Sequence, residues 1–321
     1  FDMLYFKPND CCHFLSVVAQ QYKTNHIEMF DESHYLPDLV LKMADVYDEP
    51  FADSSSIPTY LICKEAKKHS KVILTGDGAD ELLGGYTSRY NPLIHMLGAN
   101  NSPHMAKLVQ YLMLRVGNKI APTDKKWQQS LGLKYSISNF SIGDALDKSY
   151  TFFNDFELEE FGIKRERDDV GFPLEGNMND ALKMDSLNYM PADILVKTDR
   201  ASMANGVELR SPFLDKDLAE FVMSLPSNMK IDLKKDKILL REAFESKWPK
   251  KVQGRGKQGF GPPIEQWLKN KDMKAMVESY LSPNMKINSY LPQELVQRYS
   301  TDNSHKTWAL LNLSVWLEHA N

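Results

Sequence analysis

The chain has 321 residues, 42% of them apolar and 26% charged, with a formal net charge of −4, which suits one large domain or two ordinary ones. That charge gives no reason to expect a nucleic-acid partner, and no apolar run approaches the ~20 residues of a membrane span. The three cysteines, Cys11, Cys12 and Cys63, argue against a disulfide framework and fit a reducing cytosol. Cys11-Cys12 has no second cysteine pair or histidine cluster to support a metal site and reads as packing.

In chain order, Met3-Leu4-Tyr5-Phe6 reads as a strand, and residues 10–22 as a helix with Phe14, Leu15, Val17, Val18 and Tyr22 mostly on one face. His26–Phe30 reads as a short strand and residues 35–47 as a helix carrying Leu36, Leu39, Val40, Met43 and Val46. The polar run Asp48–Ser56 caps a helix from Ile57 to about Lys68, its acids serving as caps and turn formers. A strand at Lys71–Thr75 follows. Strand, helix, strand, helix, helix, strand is the pattern of a parallel sheet with helices packed on it. Beyond Tyr86 the strands fade. Residues 91–120 and 140–165 read as helices, 178–226 as helical with a break near Ser211-Pro212-Phe213, and 236–247, 263–281 and 304–319 as further helices. The expectation is an α/β fold, a parallel sheet with flanking helices merging into a mainly helical carboxyl-terminal half. Its expected parts are a nucleotide-binding part at 1–90, a variable helical insertion at 91–180 and a helical part with a phosphate-side loop at 181–321. The chain opens on Phe1, without a start methionine and inside a strand, and reads as a piece of a longer protein.

The stretch Val72-Ile73-Leu74-Thr75-Gly76-Asp77-Gly78-Ala79-Asp80-Glu81-Leu82-Leu83-Gly84-Gly85-Tyr86 holds most of the information. Its apolar opening reads as a buried strand of a parallel sheet, and ligands of open α/β sheets bind beyond the carboxyl ends of strands. Gly76 and Gly78 allow close backbone approach. A short helix beginning at Leu82 would present its N-terminus to an anion. Asp77, Asp80 and Glu81 crowd together in a way that suits a cation, either Mg²⁺ or a substrate ammonium. The plainer reading is a solvated turn with acidic residues at a helix start, yet such turns do not require Gly84-Gly85-Tyr86.

Two more blocks carry charge in dense patterns. Leu195–Asp215 alternates basic and acidic residues and ends in Glu208-Leu209-Arg210-Ser211-Pro212-Phe213-Leu214-Asp215. Arg200, Glu208 and Arg210 are expected to form a buried ion network with a scaffolding role, while Asp199 is balanced between scaffold and site. The third block runs Lys237-Ile238-Leu239-Leu240-Arg241, Pro249, then Arg255-Gly256-Lys257-Gln258-Gly259-Phe260 and Pro262. Cations among glycines suit phosphate; a surface loop with incidental lysines is the alternative.

The run Gly76–Tyr86 resembles the signature of the asparagine synthetase family, ATP-pyrophosphatase-type ligases that form amides. The second and third blocks, and the segment Asp48–Pro58, resemble the family's other motifs in the same order. Residues 95–180 match least. The resemblance implies an adenine nucleotide alpha-hydrolase-like fold and adenylation of the aspartate side-chain carboxylate by ATP, after which ammonia displaces AMP to give asparagine. It implies Thr75 and Gly76 at ATP, with Leu4 near the adenine. It implies Asp77 in support of adenylate formation, Asp80 at Mg²⁺ and pyrophosphate, and Lys257 at the phosphates. Glu81, Asp199 and Arg255 would lie near substrate or metal. The implied partners are aspartate, ATP and ammonia from an amino-terminal glutaminase domain outside this chain, in a cytoplasmic enzyme of asparagine biosynthesis that forms a homodimer.

Two departures stand out. Position 77 is Asp where asparagine synthetases proper resemble Gly-Glu-Gly, and the lost methylene moves the carboxylate by ~1–1.5 Å. The family's Ser-Gly-Gly-x-Asp-Ser pyrophosphate loop and glutaminase cysteine are not in the chain and are expected ahead of Phe1. An amidotransferase or cyclase acting on another carboxylate, or a non-catalytic remnant of the fold, are the alternatives.

Overall fold

The strand–helix alternation at the start of the chain is realised as parallel pairing in the computed structural model, which describes residues 2–3, 11–29, 35–99, 142, 146, 149–164, 172, 175–254 and 261–319. Strand β1 (Asp2–Met3) pairs in parallel with β2 (Glu28–Met29), and α1 (Cys11–Tyr22) forms the crossover. Helices α2 (Leu36–Tyr47) and α3 (Ser56–Ala66) lead to β3 (Val72–Leu74). The partner of β3 is β4 (Glu208–Arg210), in parallel register Val72↔Glu208, Ile73↔Leu209 and Leu74↔Arg210. Parallel strands need a long crossover, and this one spans more than a hundred residues.

Two expectations change here. Residues 178–226 are not continuously helical. After α7 (Met178–Met184) come a π-helical segment (Asp185–Ile194, with Pro191 inside it) and α8 (Leu195–Met203), and then β4 follows a glycine, Gly206, at φ +66°. Nor is β3 a buried strand, since Val72 is 41% and Leu74 70% exposed. They alternate with Ile73, which alone turns inward, so one face of the strand is open.

Between the two strands, α4 (Ala79–Leu83) begins three residues earlier than expected, and α5 (Thr87–Ala99) and α6 (Asp155–Glu160) follow. After β4 come α9 (Lys216–Ser224), α10 (Ile238–Ala243) and α11 (Lys250–Gln253). The expected helix at 263–281 is two helices, α12 (Ile264–Trp267) and α13 (Lys271–Tyr280), because Asn270 stops one and caps the next by accepting from Asp272 N. Then come α14 (Gln293–Ser300) and α15 (His305–His319). No helix among the described residues is long and apolar enough to cross a membrane.

The main core joins helices from both ends of the chain. Leu39, Val40, Met43, Tyr47, Ile57 and Leu61 of α2 and α3 pack with Trp267, Met273, Trp308, Leu311 and Val315. Each such side chain contributes about 1.5–3 kcal/mol on burial. The Trp308 indole also donates to Ala52 O at 3.0 Å, fixing α15 to the turn ahead of α3. A second cluster gathers Tyr90, Leu93, Met178, Ala181, Leu182 and Ile231, and a third sets Leu82 and Leu83 of α4 against Val222 of α9. The acid-rich turn between β3 and α4 sits where these parts meet.

Candidate active site

The first and second motif blocks are adjacent in space. Thr75 N donates to Arg210 O at 2.9 Å, extending the strand pair by one residue. Beyond that bond the chain turns, and Thr75 Oγ1 donates to Asp77 Oδ2 at 2.7 Å. Ser211 Oγ donates to the Asp77 carbonyl. Asp77 is therefore held at its side chain from its own strand and at its backbone from the neighbouring one. Gly78 has φ +85°, and a Cβ there would lie 2.3 Å from Leu214 Cδ2. Asp215, the last residue of the second block, accepts from Leu218 N at 3.2 Å and caps α9. The Gly-Asp-Gly turn and the Pro-Phe-Leu-Asp turn thus form one joint.

The glycine pair after α4 has a separate cause. Gly84 has φ +75°, and its absent Cβ would meet Ile231; a non-glycine residue in that conformation costs roughly 1–2 kcal/mol. Gly85 lies beneath an ion pair, Lys237 Nζ to Asp80 Oδ1 at 2.9 Å. A Cβ on Gly85 would fall 1.7 Å from Asp80 Oδ1 and 2.5 Å from Lys237 Cε. Gly76 differs: it is exposed, and its Cβ would meet nothing within 4 Å. Nothing in the described fold demands its missing side chain.

Glu81 is 1% exposed and accepts a hydrogen bond from Tyr86 OH. Burial first, and then the Glu81 charge, pushes the Tyr86 phenol far up. Tyr86, Tyr150 and Tyr189 surround the Arg89 guanidinium at 4.6, 4.4 and 4.3 Å from their ring centres. Arg89 pairs with the buried Asp185 at 3.0 Å, and Tyr90 OH donates to the same carboxylate. Burial pushes Asp185 up to about 6, against the pull of Arg89. Asp199 is exposed on α8, and its carbonyl accepts from Ser202 Oγ at 3.0 Å. Leu4, Arg255 and Lys257 lie outside the described residues. The expected ion pair of Glu208 and Arg210 forms at 2.7 Å, but on the surface, with side chains 54% and 62% exposed. Both sit on the outward face of β4, opposite the exposed Val72 and Leu74, and Arg200 is exposed as well. No buried network of the three exists.

A cluster that the sequence did not reveal lies where the π-helical segment meets the turn before α3. Lys197 Nζ contacts Asp53 Oδ2 at 2.8 Å, and Tyr47 OH donates to Lys197 O at 3.1 Å. Burial raises Asp53, but the Lys197 ammonium and the Ser55 hydrogen bonds outweigh it and leave the carboxyl below its usual range. Asp193 is pushed up to about 6 by burial and then by the Asp53 charge. Two carboxylates thus share one lysine. The partners stand 144 residues apart, and the only sequence signal was a lysine within the second block and an acid within the Asp48–Pro58 segment.

Among the described residues, no group of three or more His, Cys, Asp or Glu side chains could hold a metal ion. Mg²⁺ commonly takes one or two protein carboxylates and completes its shell with water and phosphate oxygens. A single Asp80 carboxylate facing a lysine fits a shared ion of that kind rather than a closed cage.

Parallel strands ending in an acid-rich turn, with a lysine set across from it, define an α/β protein whose candidate site lies at its strand ends, where open α/β sheets bind their ligands. The family model for asparagine synthase matches residues 5–318. Asparagine synthetase [glutamine-hydrolyzing] 1 of Bacillus subtilis is 32% identical over 285 residues, covering 84% of this chain and 44% of that protein. A putative asparagine synthetase [glutamine-hydrolyzing] of Mycobacterium tuberculosis is 30% identical over 301 residues, covering 88% and 44%. The human asparagine synthetase [glutamine-hydrolyzing] is 38% identical over 87 residues, covering 26% and 15%. The chain belongs to the asparagine synthase family, and it spans less than half the length of these relatives.

Proposed function

We propose that the chain is the amide-forming part of an ATP-dependent ligase that makes asparagine. The acceptor's side-chain carboxylate attacks the α-phosphorus of ATP, the bond to the β-phosphate oxygen breaks, and pyrophosphate leaves. Ammonia then attacks the acyl carbon and AMP departs. The observation that carries this reading is the joint at the ends of β3 and β4, where Asp77 is fixed by Thr75 and Ser211 and Asp80 faces Lys237.

Two anions meet in the first step, so positive charge must be in place beforehand. In this reading Thr75 and Gly76 offer backbone groups to ATP, the bare Gly76 leaving room for close approach. Leu4 lies near the adenine. Asp77 orients the acceptor and supports adenylate formation. Lys237 and Lys257 face the phosphates, and Arg255 and Asp199 flank them. Asp80 would hold Mg²⁺, which supplies Lewis-acid charge to the phosphate oxygens when bound. Glu81 acts through Tyr86, holding the turn in place. The same reading takes the fold as adenine nucleotide alpha-hydrolase-like and divides it at about residues 90 and 180. Ammonia comes from a glutaminase domain of the full-length protein, which works in the cytosol as a homodimer.

A second acceptor class is favoured by one feature. The short Asp77 side chain, drawn back onto Thr75, leaves ~1–1.5 Å more room than Glu would, which suits a bulkier carboxylate. ATP–pyrophosphate exchange in the full-length protein across a panel of acids tests both. Aspartate-dependent exchange is expected. Exchange with another acid but not with aspartate would overturn the substrate, and no exchange with any acid would overturn the activity.

A further inference from the structure

Lys237 reaches Asp80 from an unusual backbone. Its φ is +47°, left-handed, at the N-terminal boundary of α10, a conformation uncommon for a side-chain-bearing residue. Hydrogen bonds hold the turn from both sides. Ile238 N donates to Lys230 O at 2.8 Å and closes the loop that delivers Lys237. Asp236, the residue directly before Lys237, is 6% exposed. Arg241 Nε donates to the Asp236 carbonyl at 2.9 Å and to Asp236 Oδ1 at 2.7 Å, and a terminal nitrogen of the same guanidinium also donates to Oδ1.

The remaining arm of the guanidinium leads elsewhere. Arg241 Nη1 donates to Gln253 O at 3.1 Å, in the last turn of α11. The Gln253 side-chain amide donates in turn to Glu245 O at 2.7 Å and Trp248 O at 3.0 Å. One planar fork thus ties together the turn before Lys237, the helix after it and the end of α11. An ammonium, as a point charge, cannot hold these directions at once. The restraint on Lys237 is close, because Arg241 grips both the carbonyl and the carboxylate of its neighbour, one peptide unit away. At the far end, Lys237 Cε fills the space that a Cβ on Gly85 would take, and its ammonium meets Asp80 Oδ1 at 2.9 Å. Arg241 is reachable from solvent: its side chain is 24% exposed and lines a cleft of about 750 Å³ with Thr87, Asn91, Asp232, Asp236 and Trp248.

We propose that Arg241 is a positioning residue, which sets the left-handed turn at Lys237 and thereby aims the Lys237 ammonium at Asp80. It touches no substrate itself. Its importance for catalysis rests on the reading above, in which the Asp80–Lys237 pair belongs to the phosphate side of the ATP site, whereas its hold on Lys237 does not.

The test uses the full-length protein with R241Q, R241K, R241A, K237M and the double variant R241Q/K237M. In crystals of R241Q or R241K, the Lys237 Nζ to Asp80 distance is expected to exceed about 4 Å. A pair that stays at hydrogen-bond distance in both overturns the proposal whatever the kinetics show. R241Q is expected to lower the exchange rate about 30-fold, as for a group displaced by about an ångström, with the KM for the acceptor acid changed less than about 2-fold. Added to K237M, it should lower the rate by less than about 3-fold more, because the two act as one unit. Fully multiplicative losses would overturn the proposal. Methylguanidinium should restore part of the activity of R241A and none of that of K237M; equal failure of both would count against the proposal. Should R241Q fail to fold, R241K, which keeps the charge but not the fork, carries the same comparisons. No exchange in the unaltered protein with any acid would sink the proposed reaction alone, leaving the crystallographic comparison to decide the role of Arg241.

Discussion

Two aspartate–lysine pairs of nearly equal length behave differently in this molecule. Asp80–Lys237 spans 2.9 Å and Asp53–Lys197 2.8 Å. The first is pressed against a glycine that leaves no space for a side chain. The second has an extra carboxylate, Asp193, whose proton it holds up to about 6. The distance alone therefore says little about a pair. Its surroundings decide what removing either partner does: a bare glycine packs against the first pair, and a second carboxylate faces the other.

Removing the lysine from each pair separates these roles. K197M leaves two carboxylates, largely removed from water, without their cation. Breaking such a pair costs about 3–5 kcal/mol, and a large fall in the urea midpoint is expected. A loss below about 1 kcal/mol would show the cluster to be well solvated. Gly85→Ala attacks the other pair without touching its charges. The new Cβ displaces Asp80 or Lys237, and overpacking of this kind costs about 1–3 kcal/mol. The exchange rate should fall further than stability does, and unchanged exchange would detach Gly85 from the site.

The smallest effect is a pH dependence. The folded Asp193 carboxyl, raised to about 6, binds its proton more tightly than the unfolded chain does. Stability therefore falls as pH rises from about 4 through about 6, where the folded form must ionise, and the penalty persists above that range. D193N removes the penalty. A rise from about 4 to about 6 is worth at most about 3 kcal/mol; water reaching this partly buried carboxyl screens it, so a gain of about 1–2 kcal/mol is expected at pH 7.5 and essentially none at pH 4. Equal gains at both pH values would assign the effect to packing. Because the Asp53 charge acts on Asp193, the transition belongs to the pair rather than to either residue.

Much of this was legible in the residues themselves. The helical spacing of apolar residues over 35–47 placed α2, and the helix expected at 304–319 is α15; of the two glycines read as freeing the backbone, Gly78 takes φ +85° and Gly76 stays outside the left-handed region. What could not be read was which long-range neighbour each charge would meet. Glu208 and Arg210 look like a buried network in sequence, yet strand alternation turns both outward. Asp53 looks like a cap, and it does bond Ser55, but it also finds Lys197 across the fold. The strand at 208–210 was hidden because three residues are too few to show a period, and its place is fixed by pairing with β3 rather than by local preference.

The bond from Trp308 to Ala52 spans 256 positions. On a ribosome adding about 5–20 residues per second, the turn that holds Asp53 is made well before the helix that seals it. Until α15 emerges, the apolar face of α2 and α3 lacks the part of its cover that Trp308, Leu311 and Val315 supply. That part of the core must wait for α15, and contacts this distant in sequence make for slow folding. A ribosome stalled short of residue 300 would expose that face, making the incomplete chain a client for chaperones and an early target for proteases.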